Sequence, residues 1–301
     1  MIDGRHVLVL GSNGFLGAEV ARSLLASDST VSLHVRHRAH VQHPSATIVE
    51  ADLSDPVRVV RLLDEVRPDL IVNCAALADV DACERDEVLA DALNHQLPAQ
   101  LAAWTAPSGC RLVHVSTDAV FDGRGGPYDV ETAPSPVNTY GRSKRDGEVA
   151  VLSTDATAMV ARTNIVGWSP TGTRSLLEYF HGRLARGEQA PGFVDVHFRP
   201  LPVHWFWPAC ERHLVAGATG LVHLTGPELL TKYAFGRRVA TAFDFDPDLV
   251  VPTEGLADSG RVARPPRLDV LPSRLGNVPP GDLDEGLFEL RQMRSARETD
   301  A

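Results

Sequence analysis

His6-Val7-Leu8-Val9-Leu10-Gly11-Ser12-Asn13-Gly14-Phe15-Leu16-Gly17 is the stretch that decides the fold. A short β-rich apolar run enters three glycines spaced three apart. Residues 15–26 then carry apolar side chains at Leu16, Val20 and Leu24, and again at Ala21 and Leu25, which draws a stripe along one helix face. Strand, glycine turn and amphipathic helix in that order put backbone N–H groups at a helix N-terminus, where they can cradle a pyrophosphate. Glycine is needed because a side chain would block that approach.

Outward from this unit the pattern repeats. Strands are expected over 31–35, 46–49, 70–74, 111–116 and 158–163, with helices over 56–65, 87–105 and from Thr139 onward. A loop rich in glycine and proline runs from Phe121 to Asn138. The alternation specifies an α/β fold, a doubly wound parallel sheet of the Rossmann type. Beyond Asn164 it fades, and a Pro-containing aromatic stretch at 202–208 and a Pro-rich one at 265–280 interrupt shorter elements. A dinucleotide-binding domain over 1–163 and a smaller C-terminal domain over 164–301, mainly for substrate, are therefore expected.

With 301 residues, 44% hydrophobic and 23% charged, the chain can bury an ordinary core. Its net charge of −10 opposes nucleic acid and anionic membranes, so the expected partner is a small molecule. Cys74, Cys83, Cys110 and Cys210 show no C-x-x-C spacing, and no basic-then-apolar leader precedes them, which predicts reduced thiols in the cytoplasm. No run of ~18 apolar residues spans a bilayer, and the twelve histidines form no H-E-x-x-H set, so no metal is expected. A homodimer is compatible with all of this.

At the end of the second strand, where a carboxylate would bind the ribose hydroxyls of NAD, the chain reads His34-Val35-Arg36-His37-Arg38. Arg36 and Arg38 suit a 2′-phosphate, which favours NADPH and leaves NADH open; a solvated arginine turn is the bland alternative. Asp52 is positioned to accept from an adenine amino group, and Asn73-Cys74-Ala75-Ala76 ends the fourth strand against the cofactor. Tyr140 and Lys144 lie four apart on a helix and share a face. An ammonium there would stabilise phenolate and bring the phenol's pKa of ~10 down, making Tyr140 a proton donor to a carbonyl. Only two lysines and four tyrosines are present, so about 0.03 such pairs are expected by chance. Ser116-Thr117-Asp118 closes the preceding strand, with the Thr117 hydroxyl placed to orient that carbonyl. Arg264 and Arg199, each before a proline that restricts its backbone, are candidates for a substrate's phosphates.

These residues together resemble the extended short-chain dehydrogenases, and within them the dTDP-4-dehydrorhamnose reductase family. The likeness is carried by Gly11–Gly17, Ala51-Asp-Leu-Ser-Asp55, Asn73–Ala76, Val115-Ser-Thr-Asp-Ala-Val-Phe-Asp-Gly123 and Tyr140-Gly-Arg-Ser-Lys144, and more faintly by Arg162-Thr-Asn-Ile165 and Thr231–Gly236. It implies NAD(P)H-linked reduction of a 4-keto sugar on a nucleotide diphosphate, with Thr117, Tyr140 and Lys144 as the triad. Cofactor contacts are then expected at Gly11, Asn13, Gly14, Phe15, Leu16, Gly17, Arg36, Arg38, Asp52, Leu53, Cys74, Ala75, Ala76, Asn94, Ser116, Tyr140 and Lys144. Substrate contacts are expected at Thr117, Asp118, Ala119, Asn164, Arg199 and Arg264. Ala119 stands where the family usually has an aromatic, and Ile165 where a tryptophan is common. Two other functions fit the same resemblance: a non-catalytic NAD(P)-binding regulatory subunit like that of methionine adenosyltransferase, and a nucleotide-sugar epimerase or dehydratase.

Overall fold

A computed structural model of the chain describes residues 4–37, 44–173, 175–254, 262–273 and 281–299. The first part comprises β1 (His6–Leu10), α1 (Phe15–Leu25), β2 (Thr30–Val35), β3 (Ala46–Glu50), α2 (Pro56–Val66), β4 (Leu70–Asn73), α3 (Val80–Arg85), α4 (Glu87–Asp91), α5 (Leu97–Ser108), β5 (Arg111–Thr117), α6 (Thr139–Thr154) and β6 (Met159–Thr163). It is followed by β7 (Ile165–Val166), α7 (Leu176–Leu184), β8 (Ala190–Phe193), β9 (His197–Phe198), β10 (Leu201–Pro202), α8 (Val203–Val215), β11 (Gly220–Leu224), β12 (Leu230–Thr231), α9 (Lys232–Ala242), β13 (Val250–Thr253) and α10 (Leu283–Thr299).

Seven parallel strands form the central sheet in the order β11-β6-β5-β4-β1-β2-β3. The order reverses between β1 and β4, the crevice where ligands of such sheets bind beyond the carboxyl ends of the strands. β11 comes from beyond residue 163, so the chain does not part cleanly at that point. Nor does the core: one cluster joins Val7 and Val20 to Phe180, Phe206 and Leu287, so the C-terminal helices pack onto the same face of the sheet as α1. A second cluster, built from Leu8, Leu63, Leu101 and Val151, fills the other face beneath α2, α5 and α6.

Two elements differ from the sequence reading. The helix expected over 87–105 is broken: α4 passes through a π-helical turn at Ala92–Gln96 before α5 begins. Pro98 has no N–H to offer the Asn94 carbonyl four residues earlier, and the helix widens there. The 202–208 stretch, expected to interrupt structure, largely lies within α8, because burial of Trp205, Phe206 and Trp207 outweighs the lost N–H of Pro208. Among the described residues no helix is long and apolar enough to cross a membrane.

Candidate active site

The glycine turn is shaped by close backbone contact. Gly11 has φ +72°, and a Cβ there would lie 2.9 Å from the Ala75 backbone; one at Gly17 would lie 2.1 Å from the Gly11 carbonyl oxygen. α1 therefore starts hard against the loop. Its N-cap, Gly14, has no side chain to cap the helix, and the first turn carries no acid, so its free N–H groups and positive dipole end are left for an anion. The adjoining groove, of about 470 Å³, is lined by Gly11, Asn13, Gly14, Phe15, Arg36, Leu53, Cys74, Ala75 and Ala76 among others. This cradle fits a dinucleotide: a Cβ at Gly11 or Gly17 would force its backbone walls apart, and the helix end is complementary to a pyrophosphate.

His34 is the main residue of this end that sequence reasoning missed. Its Nδ1 accepts from the Gly11 N–H at 3.2 Å, its Nε2 lies 3.0 Å from the Ala51 carbonyl, and its own carbonyl accepts from the Ser12 hydroxyl. One neutral ring thus ties together the segments after β1 and β3, and burial pulls its pKa down. Pro170 and Thr171, from the loop after β7, also line the groove.

At the reacting end, α6 is pressed against its neighbours. A Cβ on Gly141 would lie 2.4 Å from the Ala119 carbonyl oxygen, and one on Gly147 would lie 2.1 Å from that of Asn94. Asn138 caps the helix through the Gly141 N–H, and Glu84 accepts from the Thr139 N–H at 2.7 Å. These contacts set the height of Tyr140 beside the end of β5. Burial pushes the Tyr140 phenol up to about 12, partly offset by a hydrogen bond with the Thr117 side chain. This is opposite to the lowering expected from the Tyr-x-x-x-Lys spacing, because desolvation of a phenolate dominates. Burial pulls Lys144 down to about 8, while its Nζ donates to the Val115 carbonyl at 2.7 Å. Asp118, buried and hydrogen-bonded by Asn164 at 2.6 Å, is pushed up to about 6 by desolvation.

Several expected contacts lie elsewhere. The Leu16 side chain is in the core and Gly17 packs on the loop, so either could meet a cofactor only through its backbone. Asp52 sits between groove residues Ala51 and Leu53, but its Oδ1 is engaged by the Ser54 backbone and hydroxyl. Asn94 is fully buried and spends its amide on Leu77 and Ser143, tying the loop after β4 to α6. Arg199 is held by Asp269 at 2.8 Å and by the Pro227 carbonyl, an architectural link. Arg264 pairs with Asp81 at 3.0 Å, yet its Nη1 has no partner among the described residues. The Ser116 hydroxyl is likewise buried without a partner. Arg38 lies outside the described residues.

The family model for the RmlD substrate binding domain matches residues 5–274. A probable low-salt glycan biosynthesis reductase, Agl14, of Haloferax volcanii is 33% identical over 88% of this chain and 89% of its own length. A probable dTDP-4,6-dihydroxy-2-methyloxan-3-one 4-ketoreductase of Streptomyces antibioticus is 35% identical over 86% and 84%. The beta subunit of mouse methionine adenosyltransferase 2 is 30% identical over 81% and 73%. Among solved structures, a hypothetical dTDP-4-dehydrorhamnose reductase from Sulfolobus tokodaii superimposes with a TM-score of 0.81 at 26% identity, over 93% of this chain and 98% of that one. With the glycine cradle at the β1–β4 crevice and Tyr140 and Lys144 on α6, the chain belongs to the RmlD (dTDP-4-dehydrorhamnose reductase) family of extended short-chain dehydrogenases.

Proposed function

We propose that the protein is an NADPH-dependent reductase of a nucleotide-diphosphate 4-keto-6-deoxy sugar. The observation that carries this reading is Tyr140 and Lys144 one turn apart on α6, with the Thr117 side chain hydrogen-bonded to the Tyr140 phenol and Lys144 interacting electrostatically with Cys74, a lining residue of the glycine groove. Bound in the groove, the nicotinamide would supply a hydride to the keto carbon. Tyr140, protonated at neutral pH, gives its proton to the oxygen as charge develops there. The Thr117 hydroxyl orients the carbonyl, and Lys144 stabilises the phenolate left behind. Arg36 in the groove wall supports NADPH over NADH. The unpartnered nitrogen of Arg264 supports a role for that arginine at the diphosphate.

In this reading residues 164–301 mainly serve the substrate, the protein works in the cytoplasm on a small molecule and not on nucleic acid, and a homodimer is the assembly to look for. The competing reading, a non-catalytic regulatory subunit, is favoured by the relative from mouse. The test is NADPH oxidation, followed by absorbance, with a panel of nucleotide-linked 4-keto-6-deoxy sugars. Turnover of one of them supports the reductase. Cofactor binding without oxidation across the panel would leave the regulatory reading.

A further inference from the structure

Beneath the triad lies a chain of buried side chains that the proposed chemistry does not use. Asn73 at the end of β4 and His114 on β5 are register neighbours, both fully buried. The Ala75 N–H donates to Asn73 Oδ1 at 3.2 Å, which fixes the amide with its NH2 toward His114. Asn73 Nδ2 lies 3.1 Å from His114 Nδ1, and His114 Nε2 lies 3.5 Å from Lys144 Nζ. An amide NH2 can only donate, so Nδ1 of the ring must accept, and a neutral ring then carries its proton on Nε2.

We propose that His114 is the positioning residue that keeps the Lys144 proton loosely held: Asn73 locks its ring in the tautomer that points an N–H, and not a lone pair, at the lysine nitrogen. A neutral amine accepts from that N–H and still donates to the Val115 carbonyl. An ammonium would meet it donor to donor, with no compensation from the ring. The titratable groups around Lys144 are His114 on β5, Cys74 after β4, Cys83 on α3, and Tyr140 and Glu148 on its own helix. Glu148 accepts from Arg162 Nε at 2.9 Å and Nη2 at 2.7 Å, so its charge is largely committed. The ring stays neutral because burial, and then the lysine itself, push it well below the usual histidine range. Functionally, a loosely held lysine proton returns to a spent tyrosinate more readily than one held at the ordinary lysine value. That consequence rests on the reductase reading; the lock itself does not.

The experiment exploits the two lysines of the chain. With 13Cε-labelled lysine and no cofactor, NMR titration gives two curves, assigned with Lys232→Arg. Lys144 should titrate near 8 in the wild type. His114→Gln can turn a carbonyl to the ammonium, and Asn73→Ala frees the ring to move its proton to Nδ1. Each should raise the proton affinity of Lys144 tenfold or more. The alkaline fall of kcat/KM should move up in pH with it, which a merely structural histidine would not cause. If Lys144 titrates at the wild-type pH in both variants, burial alone sets its value and the lock is wrong. Failure to oxidise NADPH with any of the keto sugars removes the proposed function and leaves the titration standing.

Discussion

The two ends of the cleft are held by different means. The nucleotide end is built almost wholly of backbone: Gly11 against Ala75, the open N-terminus of α1, and His34 bridging main-chain groups after β1 and β3. The reacting end is built of buried side chains that hold one another: Asn73, His114 and Lys144 in one line, Thr117, Asp118 and Asn164 in another, and the Arg162–Glu148 pair that joins β6 to α6. Backbone is set locally by φ/ψ and glycine. Side-chain networks in a low dielectric are set by everything around them, and each unmade partner costs the full desolvation of what remains. The first end should tolerate surface change and depend on a few glycines, whereas the second should lose function or stability at nearly every member.

The largest effect is expected at the reacting end. Tyr140→Phe should lower kcat by ~10²–10⁴, the usual worth of a positioned general acid, with the dissociation constant for NADPH unchanged by fluorescence titration. A rate near wild type would mean that Tyr140 is not the acid. Next comes Arg162→Met. It strands Glu148, 3% exposed, without its partner and should cost about 3–5 kcal/mol in urea unfolding. The double variant with Glu148→Leu should recover most of that, because a well-packed apolar pair removes the buried charge as well. At the nucleotide end, Arg36→Ala should weaken NADPH by roughly 1.5–3 kcal/mol, as one charge-assisted contact, and leave NADH unchanged. Equal loss for both cofactors would remove the 2′-phosphate from the argument.

The smallest effect per group is the pH dependence of stability. His34, His114 and His223 all have folded pKa values depressed by burial, the last to about 4, so the unfolded chain binds their protons first. Stability is full above the ordinary histidine value of 6.5 and falls as pH drops below it, by about 1.4 kcal/mol per pH unit for each histidine that resists protonation. Asp118 acts in the opposite sense. Its folded pKa of about 6 lies above its ordinary 3.8, so below 6 the folded state takes up that proton and offsets one histidine. Urea unfolding in the window from neutrality down to about pH 5 should therefore show a loss that His34→Gln makes shallower. A flat profile there would mean that the rings are not neutral in the folded protein.

The nucleotide end was largely legible in advance because its causes are local. Glycine spacing, the apolar stripe of α1 and the β-rich run before it are contiguous in the chain, and β1 falls on the expected residues 6–10. The end of β5 and the α6 position of Tyr140 and Lys144 were legible for the same reason, since four residues on a helix share a face. His34 and His114 were not, because a histidine inside an apolar strand carries no local signal. Their partners lie 23 and 41 residues away, just after β1 and at the end of β4. Nor could periodicity foresee the π turn before Pro98, or β11 joining the sheet beside β6. Arg199 and Arg264 show the limit most plainly: the Arg-Pro dipeptide favours an extended residue but does not choose the partner. By itself the sequence determined the alternation of strands and helices up to about residue 163, the glycine cradle and the Tyr-Lys pair. Which carboxylate each arginine meets, which tautomer each buried histidine holds, and whether desolvation or a neighbouring charge sets the Tyr140 proton were decided only by packing. They depend on distances across the fold, and in a buried site a few tenths of an ångström and one missing donor outweigh any local preference.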